Sequence, residues 1–353
     1  MKILENVPLA PLTTFKVGGP ARYLVEARSE DDVRAAVDWG QQRQLALFVL
    51  GGGSNLVISD SGFAGLVLKI SSRGINKLEQ GAKVIFDVAA GEDWDEFVAR
   101  SVEHNCAGIE CLSGIPGTVG GTPVQNVGAY GQEVAETITS VRALDLTRGE
   151  IRELANPDCG FTYRTSIFNS EQRGGYIVLR VTFSLIPGGP PRIEYADLNK
   201  LFALKASPTL REARDAVRQI RHSKAMLIVP NDPDCRSAGS FFKNPIVPTS
   251  KYSEIAEVAR RRGIQAEVPR FPASNGHIKL SAAWLVEQSG FRKGLSRGPV
   301  GISSKHALAI VNRGGAKAAD IIALKQEIER RVAEQFGIIL RPEPVFVGFE
   351  NAH

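Results

Sequence analysis

The chain has 353 residues, 43% hydrophobic and 23% charged, with a formal net charge of +5 and a pI near 9.0. That composition excludes a disordered or fibrous chain and suits a globular protein of two or three domains. The basic residues are scattered, with only short runs such as Arg260-Arg261-Arg262, which points to solvated surface and anionic small-molecule sites, not a nucleic-acid stripe.

The opening residues, Met1-Lys2-Ile3-Leu4-Glu5-Asn6, carry no apolar run of signal-peptide length, and no stretch approaches the ~20 apolar residues of a membrane span. Arg22-Tyr23-Leu24-Val25-Glu26 reads as a strand. Ser29 then caps a helix with Glu30, Asp31 and Asp32 in its first turn and Val33 and Val37 on one face. Leu47-Phe48-Val49-Leu50 is a short buried strand that runs into Gly51-Gly52-Gly53-Ser54-Asn55-Leu56. A strand ending in glycines brings backbone N–H groups close to a phosphate.

Lys83-Val84-Ile85-Phe86-Asp87-Val88 is a further strand, followed by a helix with Trp94, Phe97, Val98 and Val102 on its inner face. A second glycine loop follows: Gly114-Ile115-Pro116-Gly117-Thr118-Val119-Gly120-Gly121. The strands Val141–Leu146 and Tyr176–Ser184 precede a Pro-Gly-Gly-Pro-Pro turn at 187–191. Ser207-Pro208 is expected to open a helix with Leu210, Ala213, Val217 and Ile220 inward. Further on come helices near 251–262 and 280–289, each ended by a glycine, a strand at 308–311, and a long helix at 318–336 stopped by Gly337. Strands and helices mix without strict alternation, so the fold class expected is α+β.

Four cysteines, at 106, 111, 159 and 235, form no CxxC pair and have no histidine at zinc spacing. Reduced thiols acting as small buried hydrophobes, a cytoplasmic setting and no metal are expected.

Neither glycine loop is a standard nucleotide motif. Residues 51–56 lack the third glycine of the dinucleotide fingerprint, and 114–121 lack the lysine of the Walker loop. Two such loops could still clamp one pyrophosphate from two sides. The donor-rich stretch Gln125-Asn126-Val127-Gly128-Ala129-Tyr130-Gly131 suits the pyrimidine edge of a flavin. In Tyr163-Arg164-Thr165-Ser166, Arg164 can bind a carboxylate bidentately. Tyr195 and Lys224 could meet a sugar nucleotide through a ring and a point charge.

The segment Ser237-Ala238-Gly239-Ser240-Phe241-Phe242-Lys243-Asn244-Pro245 sets a hydroxyl on a glycine turn, two rings behind it, and a cation and an amide after it. A serine is a weak acid, but an enolate-type carbanion is basic enough to take its proton. Glu343, between Pro342 and Pro344, is held extended and could hydrogen-bond a developing enolate.

Taken in order, these segments resemble the UDP-N-acetylenolpyruvoylglucosamine reductases of bacterial cell-wall precursor synthesis. The resemblance also covers Leu12-Thr13-Thr14-Phe15-Lys16-Val17-Gly18-Gly19 and Leu340–Gly348, almost the full length. It implies a two-part FAD-binding module of the vanillyl-alcohol-oxidase type, at 1–71 with a C-terminal return at 337–353 and at 72–225, plus an α+β substrate-binding domain at 226–336. FAD would lie against Gly51–Leu56, Gly114–Thr118, Gly120, Gly121, Asn126, Gly128, Ala129 and Tyr130. Arg164, Ser240 and Glu343 match the family's catalytic residues, Ser240 being the general acid. Tyr163, Lys224 and Asn244 match substrate and nicotinamide contacts, and Tyr195 the substrate-gating tyrosine of the longer subtype. NADPH is the implied co-substrate and a monomer the expected state. The sequence departs from the family pattern in a longer stretch at 225–236 and in Pro344, where an aliphatic residue is common.

Two other readings compete with this one. A flavin enzyme oxidising an alcohol or 2-hydroxy acid would have no need of Ser240. A non-catalytic sugar-nucleotide binder would be colourless.

Overall fold

The longest strand, Tyr176–Pro187, alternates buried and half-exposed positions over its central residues, the period-2 pattern of a sheet with one face on the core. It is the middle of an antiparallel sheet: Ile138–Asp145 and Glu150–Ala155 lie on one side, Lys83–Ala89 and Ile75–Gln80 on the other. Cys106–Ala107 pairs with its far end. The computed structural model describes residues 1–204, 207–273 and 276–349. Among these, no helix is long and apolar enough to cross a membrane.

The chain folds as two compact units. The first comprises residues 1–7, 21–53 and 64–227. Besides the sheet above it holds a smaller one in which Leu47–Leu50 pairs in parallel with Phe63–Ile70. Its core packs Val33 and Val37 of the helix Glu30–Gln42 with Leu66 and Leu68, and Trp94, Phe97 and Val98 of the helix Trp94–Glu103 with Phe86 and Phe183. The first helix starts as its sequence suggests, Ser29 accepting from Asp32 N, and the second is capped by Asp93, which accepts from Glu96 N.

The second unit comprises residues 8–20, 54–63 and 228–353. Leu56–Ile58 pairs in parallel with Val345–Val347. Two three-stranded sheets, one centred on His277–Leu280 and one on Val300–Ile302, pack with the helices Thr249–Arg261, Ala282–Gln288 and Ala318–Phe336. The last helix ends at Gly337, whose φ of 62° is the left-handed C-cap that glycine adopts without strain. The C-terminal return therefore joins residues 54–63 in this second unit, whereas the sequence-based division grouped both with residues 1–71. Parallel pairing between Leu56–Ile58 and Val345–Val347 is what draws them together.

One helix begins later than its composition suggests. Thr209, not Ser207-Pro208, caps Leu210–Ser223: its hydroxyl accepts from Glu212 N while the Glu212 carboxylate accepts from Thr209 N. The strand expected at 308–311 is Ile310–Asn312. All four cysteines are buried and unbridged.

Candidate active site

The first unit brings its two glycine loops into contact. A Cβ added at Gly52 would lie 2.6 Å from the Gly117 Cα, and one at Gly51 would lie 2.8 Å from the Thr118 Oγ1. No side chain larger than hydrogen fits there, so the approach of the two backbones dictates glycine. The N-terminal turn of the helix Trp94–Glu103 fixes the second loop. Trp94 N donates to Gly117 O, Gly114 N donates to Asp95 Oδ1 at 2.6 Å, and the Trp94 indole donates to Leu112 O. Gly120 is locked against Ala90, to whose carbonyl its own N–H donates at 2.9 Å. The result is a cradle of backbone and glycine, which fits a pyrophosphate.

Asp95 also binds Arg214 at 2.5 Å and Arg218. Burial works against its charge, but the Arg214 bond, the Gly114 N–H and the Arg218 charge outweigh it and hold the carboxyl below the usual range.

The stretch 125–131 continues this surface. Asn126 is buried, donates to Glu133 Oε2 and Thr162 O, and accepts from Ala135 N. Gly128–Ala129 pairs with Gln132–Glu133 in a short hairpin whose turn is Tyr130-Gly131. Arg164 lies along the hairpin, donating to Asn126 O at 3.4 Å and Gly128 O at 2.5 Å, with its guanidinium 5.2 Å from the centre of the Tyr163 ring. Asn126, Tyr130 and Arg164 have φ of 43°, 50° and 56°, so left-handed backbone concentrates here.

Tyr130 meets Tyr195 edge to face at 5.2 Å. Burial raises the Tyr130 phenol, against the opposing charges of Arg221 and Lys224. Lys224 caps the helix Leu210–Ser223 and binds Asp197 at 2.8 Å. Burial opposes its charge and the Asp197 bond favours it, leaving it raised. Arg221 is the residue the sequence did not single out. Its Nη2 donates to Met226 O, its Nε is buried without a partner, and it lies 3.4 Å from where a Gly114 Cβ would be. Burial lowers it. Nothing in a helix rich in arginine marks this one; only its orphaned donor does.

The second unit holds the remaining candidates. Phe241 O accepts from Glu343 N and Lys243 N donates to Arg341 O, both at 2.9 Å, with Phe242 and Pro342 opposite one another. This antiparallel ladder sets half-buried Ser240 and half-buried Glu343 at the same end. Asn55 Nδ2 donates to Glu343 O and Val345 N donates to Asn55 O, so Pro344 sits between two used donors and forfeits no bond. Thr14 ties the start of the ladder to Ser54 within the second unit, its hydroxyl lying 2.6 Å from Ser237 O and 3.3 Å from Ser54 O. Asn244 spends its carbonyl on Ala282 N, the first residue of a helix. The stretch 225–236 carries Asp232, bound to Lys305, and Asp234, which accepts from Ser304 N. Arg164 and the glycine loops thus belong to one unit, and Ser54, Asn55, Leu56, Ser240, Asn244 and Glu343 to the other.

The family model "FAD binding domain" matches residues 21–155, and "UDP-N-acetylenolpyruvoylglucosamine reductase, C-terminal domain" matches 231–347. The reductase of that name from Thermobifida fusca is 46% identical over 349 residues, 98% of each chain. That from Streptomyces coelicolor is 47% identical over 350 residues, 98% of this chain and 90% of the relative. The crystal structure of UDP-N-acetylenolpyruvylglucosamine reductase from Thermus caldophilus superposes with a TM-score of 0.66 at 26% identity, covering 98% of this chain and 99% of that one. Identity near one residue in two, sustained from end to end, establishes that the chain belongs to the UDP-N-acetylenolpyruvoylglucosamine reductase family.

Proposed function

We propose that NADPH supplies the electrons of this enzyme and that Ser240, Glu343 and Arg164 carry its proton and charge chemistry. As a member of its family the chain is an FAD-dependent reductase that converts UDP-N-acetylglucosamine enolpyruvate to UDP-N-acetylmuramate in peptidoglycan precursor synthesis. The glycine cradle suits the cofactor: Gly51 and Gly52 let the two loops approach closely, and such loops present backbone N–H groups that can hold a pyrophosphate. Asn126, Gly128, Ala129 and Tyr130 would hold the flavin end. When bound, FAD supplies the redox step, taking hydride from NADPH and passing it to the terminal vinyl carbon of the substrate.

The chain's own residues do the rest. Arg164 presents a guanidinium that offsets the negative charge that develops on the substrate's carboxylate and enolate. Glu343, held extended between two prolines, donates a hydrogen bond to that enolate as the carboxylic acid. Ser240 gives its hydroxyl proton to the carbon next to the carboxylate, and its oxygen recovers a proton from water. The observation that carries this reading is the ladder between 241–243 and 341–343, which supports a joint role for Ser240 and Glu343. Lys224 and Arg221 would face the diphosphate, Tyr163 and Asn244 the sugar or nicotinamide, and Tyr195 would gate the substrate as in the longer subtype. The same reading takes the enzyme as a cytoplasmic monomer.

The test is an anaerobic absorbance titration. NADPH should bleach the flavin, and UDP-N-acetylglucosamine enolpyruvate should restore the oxidised spectrum. A flavin that stays bleached would point to another acceptor.

A further inference from the structure

Glu110 is 0% exposed, and every partner of its carboxylate is a donor. Oε1 accepts from Gln132 Nε2 and Arg192 N, both at 2.9 Å, and Oε2 accepts from Gly108 N at 2.8 Å. The Cys111 thiol lies 3.9 Å from Oε1. A buried carboxylate is costly unless donors surround it, and here three backbone or amide N–H groups do so from three separate segments. Gly108 leads into the second glycine loop. Gln132 belongs to the hairpin whose turn is Tyr130, and its own Oε1 accepts from Cys111 N at 2.8 Å. Arg192 lies three residues before Tyr195, and its carbonyl accepts from the Cys111 thiol at 3.1 Å. Tyr130 and Tyr195, each a few residues from a Glu110 contact, meet edge to face.

We propose that Glu110 is a positioning residue that joins the Tyr130 hairpin to the Tyr195 segment and so sets how the site holds its UDP-sugar. The assignment rests on Tyr195 as a substrate-side residue. It also predicts which half-reaction changes. The hairpin keeps a second anchor, Arg164 on Asn126 O and Gly128 O, whereas the 192–195 segment is tied to the 110–111 turn through the Arg192 N–H on Glu110 and the Cys111 thiol on the Arg192 carbonyl. The further bonds of the Arg192 side chain, to Gly131 O and Glu136, are solvent-exposed. Exposed ion pairs contribute little. An amide at position 110 cannot replace the carboxylate, because its NH2 must face at least one of the three donors.

The FAD-loaded variants Glu110→Gln, Tyr195→Ala and the double variant are compared with the parent enzyme. In E110Q the KM for UDP-N-acetylglucosamine enolpyruvate should rise about tenfold or more, as a displaced positioning group implies, while flavin reduction by NADPH stays at the parent rate. Adding E110Q to Y195A should raise KM no further, since both act through one contact. Trypsin should cut at exposed Lys200 about tenfold faster in E110Q, a readout independent of turnover. An unchanged KM and cleavage rate with only a lower melting temperature, or KM effects that add, would overturn the proposal. Should E110Q fail to fold, Gln132→Met, which takes one donor from Glu110 and the acceptor from Cys111 N, decides by the same measurements. A parent enzyme that cannot use this substrate would instead refute the functional reading, and the cleavage rates would still decide the role of Glu110.

Discussion

Ser240 and Gly52 make opposite demands on a substitution. Ser240 is half-buried at the end of a backbone ladder, so an alanine there removes one hydroxyl and disturbs little else. Ser240→Ala should leave flavin reduction by NADPH intact and slow reoxidation by substrate on the order of 100-fold or more, measured by stopped-flow absorbance. Equal rates in both half-reactions would remove Ser240 from the chemistry. At Gly52 a single methyl meets the Gly117 backbone at 2.6 Å. Gly52→Ala must push the two loops apart, and backbone cannot yield as a side-chain tip does. We expect G52A to purify with sub-stoichiometric flavin and to bind added FAD at least tenfold more weakly, read from quenching of flavin fluorescence. Both residues can be singled out in the sequence, because glycine loops and a hydroxyl ahead of a cation stand out there. Glu110 and Arg221 cannot. One sits in Gly-Ile-Glu-Cys and the other on a helix with many arginines, and only burial and partners in space distinguish them.

Elements whose signals are local matched their sequences. Ser29, Gly263, Gly290 and Gly337 stand within two residues of the helices they delimit, so the sequence marks those ends closely. Ser207-Pro208 misled because Thr209 and Glu212 form a reciprocal cap just beyond it. The helix Ala318–Phe336 shows a signal that cannot be local. Its N-cap position is Lys317, which offers no acceptor. Instead the Asp60 carboxylate accepts from Ala318 N at 2.7 Å and Ala319 N at 3.0 Å, from 258 residues earlier in the case of Ala318. Asp60→Ala should therefore lower the stability measured by urea unfolding by about 1 kcal/mol, as loss of a cap does. An effect below a few tenths would mean that water serves those two N–H groups equally well. Three-residue strands such as Ile246–Pro248 and Val300–Ile302 escaped notice for the same reason: their pairing, not their composition, makes them strands.

On the scale of the molecule, acid sensitivity follows from Asp95. Its carboxyl is held below its unfolded value of about 4, so the unfolded chain binds that proton more readily. The contribution is complete above about pH 4 and is lost as pH falls through the folded value. Asp95→Asn should lower stability at neutral pH and flatten the acid limb of a plot of stability against pH. An acid limb of unchanged slope would show that Asp95 does not govern it.

The α+β class and the succession of elements could be read from periodicity, but the grouping into two units could not. The chain passes between them five times, at 7/8, 20/21, 53/54, 63/64 and 227/228. The parallel pair formed by Leu56–Ile58 and Val345–Val347 closes the last of these loops. During synthesis, residues 8–20 and 54–63 leave the ribosome long before the strand that completes their sheet exists. Val57, Phe15 and Val17, all buried in the finished core, must then wait exposed while nearly the whole polypeptide is translated. We therefore expect the nascent second unit to gain from chaperones that shield apolar segments until the final strand arrives, measured as folding yield with and without added chaperone.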